Sequence, residues 1–396
     1  MNLKIIFHFL IGTLITLMGQ LTFAAPAGFR NFHGLGKTAV KPYLAPVGLH
    51  TCALTQLGWI NCWGANNTGQ IGNNTQTESN KQIPIRSGII QISTARSGPS
   101  TTSGTTFAIT LTGVLMSWGD NLYGKLGTGT SGGASFTPQI VDVTNRYKFI
   151  SSQYGHVCAI TSTDVLKCWG YNSDGQVGDN TLVQKNSPVT VDAGVSYKFV
   201  AVGASFTCAI TTAGVLKCWG LNDTGQVGDN TLVSKTTPVV INSGTTYDSV
   251  SLGYSHACGV TTAGVLKCWG SDTVGQMGDG GLPVDRYTPN VVDSGVNYSS
   301  VSTSNNTSCA ITTTGILKCW GENDNGEIGD GSTANRTLPV TVDSGTSYAS
   351  VSMGGDHTCG VTTAKVAKCW GLNDHGQLGL GTTGGFQSTP QSVVNP

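Results

Sequence analysis

The residues best equipped for chemistry are twelve cysteines, and they fall into pairs. The pairs are Cys52 with Cys62, Cys158 with Cys168, Cys208 with Cys218, Cys258 with Cys268, Cys309 with Cys319, and Cys359 with Cys369. Zinc favours closely spaced CxxC-like knuckles, and the sequence has none. A disulfide wants β-carbons about 3.5–4.5 Å apart, the separation of a closely opposed antiparallel pair. The stretch 208–220, CAITTAGVLKCWG, supplies one. A three-residue turn at Thr212-Ala213-Gly214, with glycine in the left-handed region, sets Thr211 opposite Val215, Ile210 opposite Leu216 and Cys208 opposite Cys218. In an oxidising compartment, six disulfides follow, each inside one hairpin. Each closes a loop of about ten residues and contributes at most about 2–3 kcal/mol by chain entropy. A further copy, 107–117, carries Phe107 and Ser117 instead. Losing both cysteines together is the behaviour of a bonded pair.

The other candidates read as scaffold. His50, His156, His256 and His357 each precede a cysteine by two residues and suggest metal ligation or acid–base work. They occupy equivalent places in successive repeats, so the fold keeps them apart. Lys167, Lys217, Lys267, Lys318 and Lys368 form a column that reads as a solvated edge balanced by Asp179, Asp229, Asp279 and Asp330. The polar turns, such as 221–229 and 322–330, resemble calcium loops but lack the glutamate at position twelve and the flanking helices. Their Asn, Asp and Gly suit tight turns instead. Sequons begin at Asn66, Asn73, Asn222, Asn297, Asn305, Asn306 and Asn335. There is no G-x-S-x-G elbow, H-E-x-x-H or phosphate-binding loop. No catalysis and no cofactor are expected.

These residues are positioned by a repeat. Signature tryptophans stand at 63, 118, 169, 219, 269, 320 and 370, spaced by 55, 51, 50, 50, 51 and 50 residues. A period near 50 without helical patterning points to units of about four strands. In the fourth copy the strands are expected at 198–202, 208–211, 215–219 and 238–241. Pro188, Pro238, Pro289, Pro339 and Pro390 are expected to open the last strand of their copies. Residues 1–24 have the charged, apolar, small-residue order of a cleaved signal peptide, so the mature chain is expected to begin near Ala25. An uncleaved membrane anchor is the alternative, disfavoured by Gly19 and Gln20 within the apolar run. Residues 25–39 read as a tail. The repeats are expected at about 40–88, 89–145, 146–195, 196–245, 246–296, 297–346 and 347–396. Closure is expected through a strand at 391–395 lying beside the first repeat. The second repeat is irregular, with an insertion near 94–106 and a loose glycine-rich stretch at 127–133.

Two motifs carry a resemblance: His-Thr-Cys-Ala-Leu-Thr at 50–55, and Trp-Gly-x-Asn-x-x-Gly-Gln-x-Gly at 219–228. With them, residues 40–396 resemble the regulator of chromosome condensation repeat family. The resemblance implies an all-β, seven-bladed β-propeller with about four antiparallel strands per blade. It also implies two known roles, guanine-nucleotide exchange on a small GTPase with chromatin binding, and secreted inhibition of β-lactamase. The signal peptide and the cysteine pairs depart from the nuclear pattern.

Lys and Arg number 21 and balance 21 Asp and Glu, and this neutrality argues against a general nucleic-acid binder, which needs a basic face. The expectation is a secreted, periplasmic or cell-surface monomer that binds a protein partner, with no nucleic acid and no lasting membrane anchor. An exchange factor-like effector, a secreted enzyme inhibitor and a glycan-binding or hydrolytic propeller are the rival readings.

Overall fold

The computed structural model describes residues 43–47, 49–96, 103–281 and 283–394. The signal-peptide and tail assignments, 1–24 and 25–39, lie outside the described residues. So do 97–102 of the irregular loop and Asn395.

The fold is a seven-bladed β-propeller. Seven four-stranded antiparallel sheets follow one another along the chain, at 43–86, 89–140, 147–190, 197–240, 247–291, 298–341 and 348–392. Among the described residues, one 3-10 turn at Leu122–Gly124 is the sole helical element. In blade 4 the strands are Tyr197–Val202, Phe206–Thr211, Leu216–Gly220 and Lys235–Val240. Cys208 faces Cys218 and Ile210 faces Leu216, the register that the turn residues dictate. First strands of neighbouring blades touch all round the ring, so they line the central channel. Second strands are buried on both faces and read as continuous apolar or small-residue runs.

Every seam between blades shares one bond. The signature tryptophans are fully buried. Each donates its indole N–H to a main-chain carbonyl of the preceding blade, at 2.8–3.0 Å. The acceptors are Gln377, Gln70, Lys125, Gln176, Gln226, Gln276 and Glu327, for Trp63 through Trp370 in order. A buried carbonyl and a buried indole donor each need a partner, and the seam provides both.

Three expectations need correction. The C-terminal strand, Phe386–Ser392, pairs with Ala367–Leu372 of its own blade, so no strand is exchanged at closure. The ring closes with the same indole bond as every other seam. Trp63 bonds the Gln377 carbonyl at 3.0 Å, and the Thr51 hydroxyl meets both that carbonyl and His357 Nε2 at 3.0 Å. The repeat prolines do not open their strands. Pro238 is the fourth residue of Lys235–Val240. It lies where the ladder to the third strand breaks between Cys218 and Gly220, on an outer strand where a missing N–H costs little. Finally, the described ends of 94–106 are strand: blade 2 runs Ile89–Arg96 and Gly104–Thr110 in register.

Thr51→Val keeps the side-chain shape but strips a hydroxyl that serves two groups at the closing seam. Unpairing buried polar groups costs about 1–3 kcal/mol. The expected result is a lower urea midpoint with an unchanged m-value. A midpoint equal to that of the parent would show that the seam does not depend on this hydroxyl.

Candidate functional site

Strand alternation decides what shares a face. In each blade the first and third strands run the same way, so the turn after the first and the long turn after the third emerge together at one channel mouth. The hairpin turns and the links between blades emerge at the other.

The long turns are built around one side chain. Asn66, Asn121, Asn172, Asn222, Asp272, Asn323 and Asn373 each accept, through Oδ1, the backbone N–H five residues on, at 2.9–3.2 Å. Asn222 Nδ2 also donates to the carbonyls of Thr231 and Val233, at 2.8 and 3.3 Å. In blade 2, Asn121 Nδ2 reaches the Thr130 and Gly132 carbonyls, at 3.2 and 3.3 Å. The glycine-rich stretch 127–133 is therefore an ordered long turn and not a loose loop. Asp272 is the exception. It has no amide to donate, and burial raises its carboxyl to about 6, with Asp279 and Asp285 adding repulsion.

At the mouth lies a cavity of about 290 Å³. Its walls come from distant parts of the chain. Tyr154, Tyr254 and Asn305 sit at equivalent turn positions of blades 3, 5 and 6, Asp356 comes from blade 7, and Arg96 ends the first strand of blade 2. The long turn of blade 6 adds Glu322, Asp324 and Glu327. The buried Arg96 guanidinium bonds the Tyr154 hydroxyl and Asn305 Oδ1 and lies 4.4 Å from the Tyr154 ring centre. Tyr154 donates to Asn305 Oδ1 at 2.7 Å, and Asn305 Nδ2 donates to Asp356 at 2.9 Å. This chain of bonds spans the channel from blade 2 to blade 7. Tyr154 and Asn305 hold positive φ, 34° and 45°, a backbone cost of about 1–3 kcal/mol for non-glycine residues. Burial pushes the carboxyls of Glu322, Glu327 and Asp356 upward, and the Arg96 charge opposes this at Asp356. A positively charged or hydrogen-bond-donating group would relieve them.

Apart from Asn305 as the start of a sequon, the motifs of the sequence single out none of these cavity residues. A signal did exist. Glu327 and Lys125 replace a glutamine found at 70, 176, 226, 276 and 377 in the other long turns. Lys125 is buried 3.0 Å from Asp120, and burial lowers its pKa.

The residues singled out from sequence are distributed as follows. The six cysteine pairs are closely opposed, with Cα–Cα distances of 4.0–4.1 Å, and fit disulfide bonds. The four histidines are buried at separate seams. The lysine column has different partners from those expected. Lys217, Lys318 and Lys368 pair with Asp192, Asp293 and Asp343 at 2.6–2.7 Å, each carboxylate also accepting a buried tyrosine hydroxyl. Asp179, Asp229, Asp279 and Asp330 pair instead with Lys185, Lys235, Arg286 and Arg336 on the outer strands. Among the described residues no three His, Cys, Asp or Glu side chains converge as a metal site requires. Asn66 and Asn222 are buried in their turn clamps, whereas Asn297 and Asn335 are exposed.

Two family models match: the RCC1-like domain over residues 18–359 and the regulator of chromosome condensation (RCC1) repeat over 348–377. Among curated proteins, the human E3 ubiquitin-protein ligase HERC2 is 29% identical over 145 residues, covering 35% of this chain and 3% of that protein. The ultraviolet-B receptor UVR8 of Arabidopsis thaliana is 30% identical over 144 residues, covering 35% of this chain and 31% of that one. The chain thus spans less than a third of either relative's length. Among solved structures, human WBSCR16 superposes with a TM-score of 0.74 at 18% identity, covering 85% of this chain and 94% of that one. Prp20p of Saccharomyces cerevisiae gives 0.73 at 19% identity, covering 89% and 88%. At such identities the likeness is one of fold.

Asp272→Asn would restore the missing amide donor of the blade 5 turn. A carboxyl raised above its unfolded value contributes stability below about pH 4 that is lost as pH rises through about 6. The substitution should therefore stabilise by about 1 kcal/mol near pH 7.5, with less benefit at pH 4. Paired thermal melts at the two pH values check this, and an equal effect at both would refute the ionised, donor-starved turn.

Proposed function

We propose, from the premise that this chain belongs to the RCC1-like domain family, that it is a secreted protein-binding scaffold with no catalysis of its own. The observation that carries this reading is the channel mouth. There, residues from five blades build one cavity in which burial raises the carboxyls of Glu322, Glu327 and Asp356 and the backbone is strained at two positions. Loops on a rigid frame are the usual place for partner contacts. Similar propellers associate with proteins: Prp20p has been studied for binding Gsp1p and histones, and yeast RCC1 has been crystallised bound to Kap60.

Export is supported by the order of residues 1–24 and by six cysteine pairs at disulfide distance, which suit an oxidising compartment. The same pairs weigh against an exchange factor working in a reducing cytosol. Inhibition of a secreted enzyme would be one form of the scaffold role. Protein sequencing of the exported chain should begin at or near Ala25, and a chain still starting at Met1 would instead favour the anchor.

The partner face is tested by comparative capture. The mature protein, a mouth variant carrying Glu322→Lys and Asp324→Lys, and an opposite-face variant carrying Thr212→Lys and Thr262→Lys are each used as bait. A specific partner should be retained by the parent and the opposite-face variant and lost from the mouth variant. Loss from the opposite-face variant alone would move the site to the other mouth, and an enzymatic turnover by the purified chain would end the scaffold reading.

A further inference from the structure

The seven seams share the tryptophan bond, but four of them carry a second device. His50, His156, His256 and His357 place Nε2 against a hydroxyl of the next blade, on Thr106, Thr207, Ser308 and Thr51, at 3.2, 2.8, 2.9 and 3.0 Å. Each hydroxyl gives its own proton to a carbonyl, of Gln70, Gln176, Gln276 or Gln377, at 2.7, 2.8, 3.3 and 3.0 Å. Those are the same carbonyls that receive the indole N–H of Trp118, Trp219, Trp320 and Trp63.

A hydroxyl has one proton. Since it goes to the carbonyl, the imidazole must donate from Nε2, which leaves Nδ1 without a proton. Nδ1 of His156 and of His357 is buried with no hydrogen-bond partner among the described residues. A second proton there would create a charge with no acceptor, in a place sealed by packing. A β-carbon on Gly253 or Gly354 would come within 2.3–2.5 Å of the His256 or His357 ring, so those glycines close directly over it.

The other three seams lack the device. Val157 and Ala257 stand where the hydroxyl would be at the seams between blades 2 and 3 and between blades 4 and 5, and Thr307 replaces the histidine between blades 6 and 7. The histidine seams therefore divide the ring into blade 1 and the pairs 2–3, 4–5 and 6–7.

We propose that this division is an acid-sensitive device: as pH falls, the ring loosens at the four histidine seams while the remaining seams and the cysteine-paired hairpins hold. The cavity at the mouth straddles those joints. Arg96 and Tyr154 belong to pair 2–3, Tyr254 to pair 4–5, and Asn305, Glu322 and Asp356 to pair 6–7. Loosening takes its walls apart.

Burial holds His50, His156 and His256 down to about 3 and His357 to about 4. The charged groups bearing on these rings are His357 and Lys125, both acting on His50, and both disfavour its protonation. A histidine with a lowered folded pKa contributes stability that is complete above about pH 6.5 and is lost as pH falls toward 3–4. The seven-bladed ring also holds carboxyls raised by burial, Asp272, Glu322, Glu327 and Asp356, which act in the opposite direction over part of this range. The carboxylates with lowered pKa, such as Asp192 and Asp343, fail only at lower pH.

The test reads the seams directly, because their tryptophans are buried and redden in emission when wetted. In constant sub-denaturing urea, the mature protein titrated from pH 7.5 to 3.5 should redden with a midpoint between about 6.5 and 4. Replacing all four histidines by Gln, whose amide keeps a donor near the hydroxyl, should lower that midpoint by about one pH unit or more. Should the fourfold variant fail to fold, His156→Gln alone should make the transition shallower by about one proton. Carbon-13 NMR of labelled histidine in the unaltered protein adds a second readout. A titration near 6.5 with the seams still closed, or an acid transition unchanged in the variants, would overturn the proposal.

Discussion

The structure depends on one bond made seven times, from an indole N–H to the carbonyl at the tip of the preceding blade's long turn. A four-stranded sheet of this size buries one face poorly by itself, and its tryptophan would strand a polar N–H in the core. Docking on the neighbour satisfies both needs at once. The long turn must then hold its carbonyl in a fixed place, and the asparagine clamp does so by tying the turn to itself from within. Gly178, Gly228 and Gly329, at φ of 83–85°, keep the approach close: a β-carbon on Gly228 would lie 2.7 Å from the Trp269 ring. Tryptophan, clamp and glycine are parts of one interaction, which is why they recur together as the repeat signature.

Cysteine pairs play a different part. Each joins residues already paired across one hairpin, so it restricts the unfolded chain locally and says little about how blades meet. Blade 2 makes the point. It has Phe107 and Ser117 at those positions, yet its register matches the others, with Phe107 opposite Ser117 and Trp118 in its usual seam.

Much of this fold is legible in the sequence because the repeat is a seven-fold replicate of one local experiment. The hairpin register follows from turn length and from residue pairs that change together. The blade count follows from the tryptophans. What is not legible depends on side chains meeting across a seam. Lys217 and Asp229 look like a natural pair along the chain, but Asp229 turns to Lys235 on the outer strand, while Lys217 crosses to Asp192 before its own blade begins. Closure by strand exchange was a reasonable expectation for a ring that must hide its ends. It is unnecessary here because Trp63 makes the final seam with the indole bond used at the other six, and Thr51 repeats the hydroxyl contact of Thr106, Thr207, Ser308 and Thr358.

The cavity was the least legible feature, and for a physical reason. Repetition reveals the positions that the ring needs in every blade, so it draws attention to the scaffold. A site that engages a partner must break the symmetry. The departures coincide in space: Glu327 in place of glutamine, Asn305 and Tyr154 in left-handed turns, and Arg96 reaching over the channel from a blade that has lost its cysteines. Scattered substitutions in drifting repeats would fall on all faces alike. Substitutions that gather at one mouth, cost backbone strain and raise the energy of buried carboxylates are not favoured by the ring's own stability. At those places the ring's own stability would be better served by the glutamine and a relaxed turn.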